Sequence, residues 1–292
     1  MDMEEIVMEV RGLRKVYDGF ELKDISFTLP KGYIMGYVGQ NGAGKTTTIH
    51  SILGLLNREG SICIDGCSFE EDEVMYKEKI GFVRDECYFP SNFIMKDIVR
   101  IMKQFYVTFD ETIFYEYIRR WKLPEKKKID SFSKGMKIKL MLSTVLARDT
   151  KVLILDEATA GLDPISRDEV LEILQDYIKD GDRSVFFSTH LMEDLEKIAD
   201  YIFFIHNGQQ VFFDTKDALI MDYVLVKGGF EDAGHESLKR AVHIQKSKVS
   251  FEALIKKSDL DQTKHSFLVE KVSVDDVVTH YMKKLNEDPL YC

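Results

Sequence analysis

The chain has 292 residues, 45% hydrophobic and 31% charged, with a formal net charge of −10; it is globular and long enough for one large domain plus a smaller one. That acidic balance excludes a surface built for sequence-independent nucleic-acid binding, where clustered Lys and Arg neutralise phosphates. No apolar run reaches the ~20 residues that cross a bilayer, and the acidic start Met1-Asp2-Met3-Glu4-Glu5 is no secretory signal, so the expected location is cytoplasmic.

Val7 to Val16 and Phe20 to Leu29 alternate apolar and polar residues on either side of the turn pair Asp18-Gly19, which predicts two antiparallel strands. Tyr17 closes the first. Its ring can stack on the flat face of a purine, and the competing reading is a half-buried strand tyrosine.

The apolar run Tyr33, Ile34, Met35, Tyr37, Val38 predicts a buried strand, and it leads into Gly39-Gln40-Asn41-Gly42-Ala43-Gly44-Lys45-Thr46. This is phosphate-loop spacing: the glycines let the backbone wrap an anion with its N–H groups turned inward. Lys45 reaches the outer phosphates, Thr46 offers a hydroxyl to Mg²⁺, and the helix through Thr47 and Ile49 aims its positive end at the same anion. After Gly54, a hairpin turning at Asp65-Gly66 and a strand at Ile80-Gly81-Phe82-Val83 extend a nucleotide-binding sheet.

Residues 86–150 read as a mostly helical insert. Met95, Ile98, Val99, Met102, Phe105 and Tyr106 fall at helical spacing, and a second helix runs through Ile113, Tyr117 and Ile118. The stretch Tyr88 to Ile94, ahead of the first helix, concentrates aromatics in a loop, a docking surface for a partner. Ser133 then caps a helix carrying Leu140, Met141, Thr144 and Val145, leaving its hydroxyl to face an anion.

Val152-Leu153-Ile154-Leu155-Asp156-Glu157 reads as a buried parallel strand ending in two carboxylates. With a phosphate loop upstream, Asp156 is placed to hold Mg²⁺ and Glu157 to polarise an attacking water. A helix from Val170 to Ile178 and a strand Ser184 to Phe187 follow, and His190 at the same sheet edge can hydrogen-bond a terminal phosphate. The remaining histidines (His50, His206, His235, His243, His265, His280) read as surface or satisfied residues. Cys63, Cys67, Cys87 and Cys292 lack Cys-x-x-Cys spacing, so neither zinc nor a disulfide is expected.

These ordered motifs, from about Val7 to Asp222, resemble the ATP-binding subunit of an ABC transporter, most like exporter-type ATPases for antibiotics or peptides. The resemblance implies a P-loop NTPase core of α/β class with an N-terminal antiparallel β subdomain, a helical subdomain over about 86–150, and a boundary near 222. It makes Gly39–Thr46 the Walker A loop, Asp156-Glu157 the end of Walker B, Ser133-Lys134-Gly135 part of the signature, Asp163 a D-loop residue and His190 the switch histidine. It further implies ATP and Mg²⁺ as ligands and a second ATPase subunit, in a homodimer or heterodimer. Two ATP molecules would be sandwiched, each between one Walker A loop and the partner's Ser133 and Gly135. A separate membrane permease would hold the chain on the inner face of the membrane.

Two departures stand out. Lys134 and Met136 replace the signature's usual Gly and Gln, and Arg84-Asp85 stands where the family has Pro and the Q-loop Gln. Asp85 can accept from a Mg²⁺-bound water but cannot donate as an amide does. The alternative function, a non-transport ABC ATPase acting on ribosomes or DNA, would bring a second ATP module, a long coiled coil or a zinc module, none of which is seen. A plain P-loop kinase or GTPase would leave the signature segment and His190 unexplained. Beyond a closing hairpin at Asn207-Gly208, residues 223–292 form a small α+β appendage with strands at Val224 to Val226 and near Leu268 and a helix capped by Ser273. It is read as either packing or a contact between subunits.

Overall fold

A computed structural model describes residues 5–260 and 267–287; Cys292 and His265 lie outside them. The N-terminal hairpin forms as expected, β1 (Ile6–Tyr17) against β2 (Phe20–Pro30). Strand β3 (Ile34–Val38) runs into the phosphate loop and α1 (Lys45–Ile52). Next come β4 (Glu59–Ile64), β5 (Cys67–Ser68), α2 (Glu73–Glu78) and β6 (Ile80–Arg84). The helical insert holds α3 (Met95–Phe105), α4 (Glu111–Arg120) and α5 (Lys134–Leu146). The chain returns through β7 (Val152–Asp156), α6 (Pro164–Ile178), β8 (Ser184–Ser188), α7 (Met192–Ile198), β9 (Tyr201–His206) and β10 (Gln209–Thr215). After α8 (Lys216–Asp222), β11 (Tyr223–Gly229), β12 (His243–Lys246), β13 (Ser250–Lys256), β14 (Leu268–Glu270) and α9 (Val274–Glu287) complete the described chain.

One ten-stranded sheet, in the order β5-β4-β1-β2-β10-β9-β3-β8-β7-β6, joins the N-terminal and central parts. Strands β9, β3, β8, β7 and β6 are parallel neighbours, and every residue of β3 and β8 is buried. Sheets covered on both faces favour such continuous apolar runs. Residues of alternating parity separate into two cores: Leu153, Leu155, Val185 and Phe187 lie under α5, α6 and α7, whereas Val152, Ile154 and Phe186 face the N-terminal strands.

Register then fixes the working edge. Arg84 pairs with Asp156, Asp156 with Ser188, and Ser188 with Tyr37, so the segments that follow these strands all leave the sheet at one level. That is where open parallel sheets bind ligands.

Three expectations change. In α4, Phe114 and Ile118 are buried while Ile113 is exposed, so the buried face is rotated by one residue. His243 and His280 are buried and hydrogen-bonded, in line with satisfied histidines, whereas His206 is buried and, among the described residues, neither of its ring nitrogens has a hydrogen-bond partner. Finally, a second sheet, in the order β12-β13-β11-β14, begins at Tyr223, but α9 belongs to the central core. Val274, Val277, Val278 and Leu285 share a cluster with Ile34, Phe187 and Phe204, and Glu196 of α7 accepts the N–H groups of Val274 and Asp275 at the first turn of α9.

Candidate active site

The phosphate loop takes the shape its glycines permit. Gly42 and Gly44 adopt φ of +83° and +112°, and a Cβ at Gly39 would stand 2.6 Å from the Ile205 carbonyl oxygen, so a side chain there would displace backbone. The Lys45 ammonium is held by the loop itself. It donates to the Gly39 carbonyl at 2.6 Å and the Gln40 carbonyl at 3.3 Å, and lies 3.4 Å from Glu157 Oε1. Thr46 Oγ1 donates to Asp156 Oδ2 at 3.3 Å.

Asp156 is the last residue of β7, and burial pushes its carboxyl above the usual carboxylate range. Its Oδ1 is buried with no hydrogen-bond partner. Glu157 follows with φ of +52°, a left-handed turn uncommon for a residue with a Cβ and found at functional sites. The turn sends its carboxylate toward two groups at once: Lys45 on one oxygen, and His190 Nδ1 at 2.5 Å from the other. With Nδ1–H donating to Glu157, the ring's Nε2 is free for a ligand. Glu157 N–H donates to the Ser188 carbonyl and Thr189 N–H to the Tyr37 carbonyl, so both turns are tied to neighbouring strands.

The structure therefore brings Lys45, Thr46, Asp156, Glu157 and His190 together. It does not do the same with every predicted residue. The Asp85 N–H donates to the Asp156 carbonyl at 3.1 Å, yet its carboxylate pairs with Arg84 at 3.8 Å and lines a cavity with Lys134 and Lys137. Among the described residues it makes no hydrogen bond to Thr46 or Asp156. Tyr17 is 42% exposed at the end of β1, and Lys15 Nζ lies 5.2 Å from its ring centroid.

Ser133 caps α5 as expected, its Oγ accepting from Met136 N–H at 3.2 Å. Gly135 is required there, since a Cβ would come within 2.8 Å of Ser166 Oγ on α6. Asp163 caps α6 by accepting from Ser166 N–H, and the Ser166 side chain, together with this N–H, holds its carboxyl below the usual range. Among the described residues, no hydrogen bond or ion pair joins Ser133–Gly135 to the phosphate loop.

One supporting network had no local sequence signal. Asp194 of α7, fully buried, accepts from Thr159 Oγ1 at 2.7 Å and from Arg167 Nε. It ties the segment after Glu157 to α6 and to the helix after His190. Only the fold brings these residues together.

A parallel sheet with an anion-wrapping loop, a buried lysine and two strand-end carboxylates defines a P-loop ATPase. The comparisons carry this further. A family model described as ABC transporter matches residues 22–160. The ABC transporter ATP-binding protein YtrB of Bacillus subtilis (strain 168) is 31% identical over 268 residues, covering 90% of this chain and 91% of that protein. The linearmycin resistance ATP-binding protein LnrL of the same organism is 28% identical, covering 94% and 91%. A solved structure of an ATP-binding subunit of an ABC transporter matches with TM-score 0.66 and 26% identity over 73% of this chain and 91% of that one. The chain belongs to the family of ABC transporter ATP-binding proteins. It binds and hydrolyses ATP as the nucleotide-binding subunit of a transporter whose other part is a membrane permease. Among the described residues, no helix is long and apolar enough to cross a membrane. A role on ribosomes or DNA is not favoured.

Proposed function

We propose that this subunit energises export of an antibiotic-like or peptide-like compound through its permease, with Lys45, Glu157 and His190 as the catalytic side chains. The observation that carries the site assignment is the convergence of these three residues on one sheet edge. Export is supported by the similarity to LnrL, whose name records resistance to linearmycin. In the reading proposed here, residues 39–47 wrap the phosphates, Tyr17 stacks on the adenine, and Lys45 leaves the loop carbonyls for the outer phosphates. Glu157 orients or deprotonates water for in-line attack, and His190 presents Nε2 to the γ-phosphate.

The hard-oxygen pair of Thr46 and Asp156, with its unpartnered buried Oδ1, fits Mg²⁺. Mg²⁺ at nucleotide sites is usually held by one or two protein oxygens plus substrate phosphates. When bound, Mg²⁺ neutralises phosphate charge. Asp85 remains a candidate only through a bridging water. Asp85→Gln is expected to change stability by no more than about 0.5 kcal/mol and to alter the ratio of transport to ATP hydrolysis. Unaltered ATPase and transport would mark the substitution as merely tolerated.

Ser133, Lys134 and Gly135, which stand apart from the phosphate loop within one chain, are proposed to close the site of a second subunit, with Asp163 at the same interface. The nucleotide-binding unit is taken as 1–222 and the accessory unit as 223–292, bound at the membrane's inner face through the permease.

The permease is proposed to dock over a cavity of about 550 Å³ lined by Phe82, Tyr88, Phe89, Met102, Phe105 and Arg148 among others. Of its lining, Phe105 and Val74 are 72% and 68% exposed, apolar surface that water disfavours. Phe105→Glu is expected to keep basal ATPase within about twofold and cut permease co-purification about tenfold, the size of one interface anchor. Undiminished co-purification would move the docking surface elsewhere.

A further inference from the structure

At the seam of the second sheet and α9 lie four ionisable side chains that the ATPase site does not use, two buried imidazoles between two carboxylates open to solvent. His243 of β12 and His280 of α9 are 8% and 2% exposed, with their Nδ1 atoms 3.2 Å apart and ring centroids 5.3 Å apart. Each outer nitrogen faces a carboxylate: His243 Nε2 lies 3.4 Å from Glu287 Oε1, and His280 Nε2 lies 3.4 Å from Glu252 Oε1.

The proton count follows from these contacts. A hydrogen bond between two Nδ1 atoms holds one proton, because two lone pairs or two N–H groups at this spacing repel. Each Nε2 facing a carboxylate is best served by a proton of its own. Three protons on two rings give one positive charge, which lies between the two carboxylates of Glu252 and Glu287. A metal in place of the central proton would have only these two imidazoles, since among the described residues no third His, Cys, Asp or Glu joins them, short of a four-coordinate site.

We propose that His243 and His280 are a coupled imidazole pair sharing one proton between their Nδ1 atoms, and that a second proton parts β12 from α9 and releases the C-terminal sheet from the nucleotide-binding body. The release travels through α9, which is packed into the central core and sets Tyr281 edge-on against Phe212 of β10.

The sign of the pH effect follows from burial. Burial and the neighbouring His243 disfavour charge on His280, holding it below the usual value of 6.5 although Glu252 opposes them. For the step that adds the fourth proton, the opened state therefore binds it more readily, so the seam weakens as pH falls through the depressed value. The other charges near the pair are Lys283, which hydrogen-bonds Gln245 of β12, and Lys227, which pairs with Glu252 from β11. Glu196 of α7 is engaged at the first turn of α9.

The test is ring-carbon NMR of ¹³C-histidine in the full chain, with amide exchange of α9 followed alongside. Both rings are expected to titrate through the same two steps, and α9 exchange, corrected for its intrinsic pH dependence, to quicken about tenfold between about pH 7.5 and about pH 5.5. Glu252→Gln, at a partly exposed site, should move the lower step further down; His280→Gln should flatten the exchange profile. Two independent single-step titrations, unchanged α9 exchange, or stoichiometric Zn²⁺ uptake that replaces both steps would overturn the proposal.

Discussion

Replacing Glu157 with glutamine is expected to leave ATP binding intact and lower turnover about 10²–10⁴-fold, the range a positioned general base contributes. An amide of nearly the same shape still fits the left-handed turn at Glu157 and can meet His190, so positioning survives. What disappears is the negative charge that Lys45 and His190 converge on, and with it the capacity to accept a proton from water. The variant should also accumulate as an ATP-bound dimer, because hydrolysis is the step that loosens the proposed sandwich. Phosphate release and gel filtration with ATP check the two halves separately. Release at the normal rate would remove Glu157 from its role, and an ATP-bound monomer would count against the two-subunit site.

Lys45→Ala should act earlier, on binding. A buried ammonium facing phosphate contributes charge-assisted hydrogen bonds worth about 1.5–3 kcal/mol, so affinity for ATP should fall roughly tenfold to a hundredfold. The geometry adds a second effect. Lys45 Nζ is 3.4 Å from Glu157 Oε1, an oxygen that is buried and has no hydrogen-bond partner. Removing the lysine takes away one of the two groups that meet the Glu157 carboxylate and leaves His190 as the other, so residual hydrolysis at saturating ATP should fall as well. Equilibrium binding of a fluorescent ATP analogue and the residual rate at saturating ATP test both effects, and unchanged affinity would refute the role given to Lys45.

The parts of the fold that local pattern can encode were legible. Alternation marked β1 and β2, continuous apolar runs marked β3, β7 and β8, and the phosphate loop announced α1 through its own glycines. The C-terminal unit was only partly so. Val224 to Val226 and the Ser273-capped helix are visible as local patterns, but β12 and β13 acquire their strand character by pairing, His243 opposite Leu254 and Lys246 opposite Phe251, in a lysine-rich stretch with little alternation. The short α2 was also missed, because its one buried residue, Tyr76, sets no period.

Site residues followed the same division. Lys45, Thr46, Asp156, Glu157 and His190 could be named because each ends a strand or begins a helix in a recognisable motif. The Asp194–Arg167–Thr159 brace and the His243–His280 pair were invisible, since their members meet only after distant segments pack.

The burial of α9 in the central core has a consequence for how the molecule is made. Ile34 at the start of β3 and Leu285 near the end of α9 share one apolar cluster, so the sheet that carries the phosphate loop can form before the layer that finishes its covering has been synthesised. During that interval Phe187, Phe204 and their neighbours lack part of their shelter, and such transiently exposed apolar surface is prone to aggregate. Contacts of this sequence separation also slow folding. The nascent subunit passes through a window in which it has a nucleotide loop but an open flank, and binding of ATP to that loop during synthesis would steady the sheet until α9 arrives.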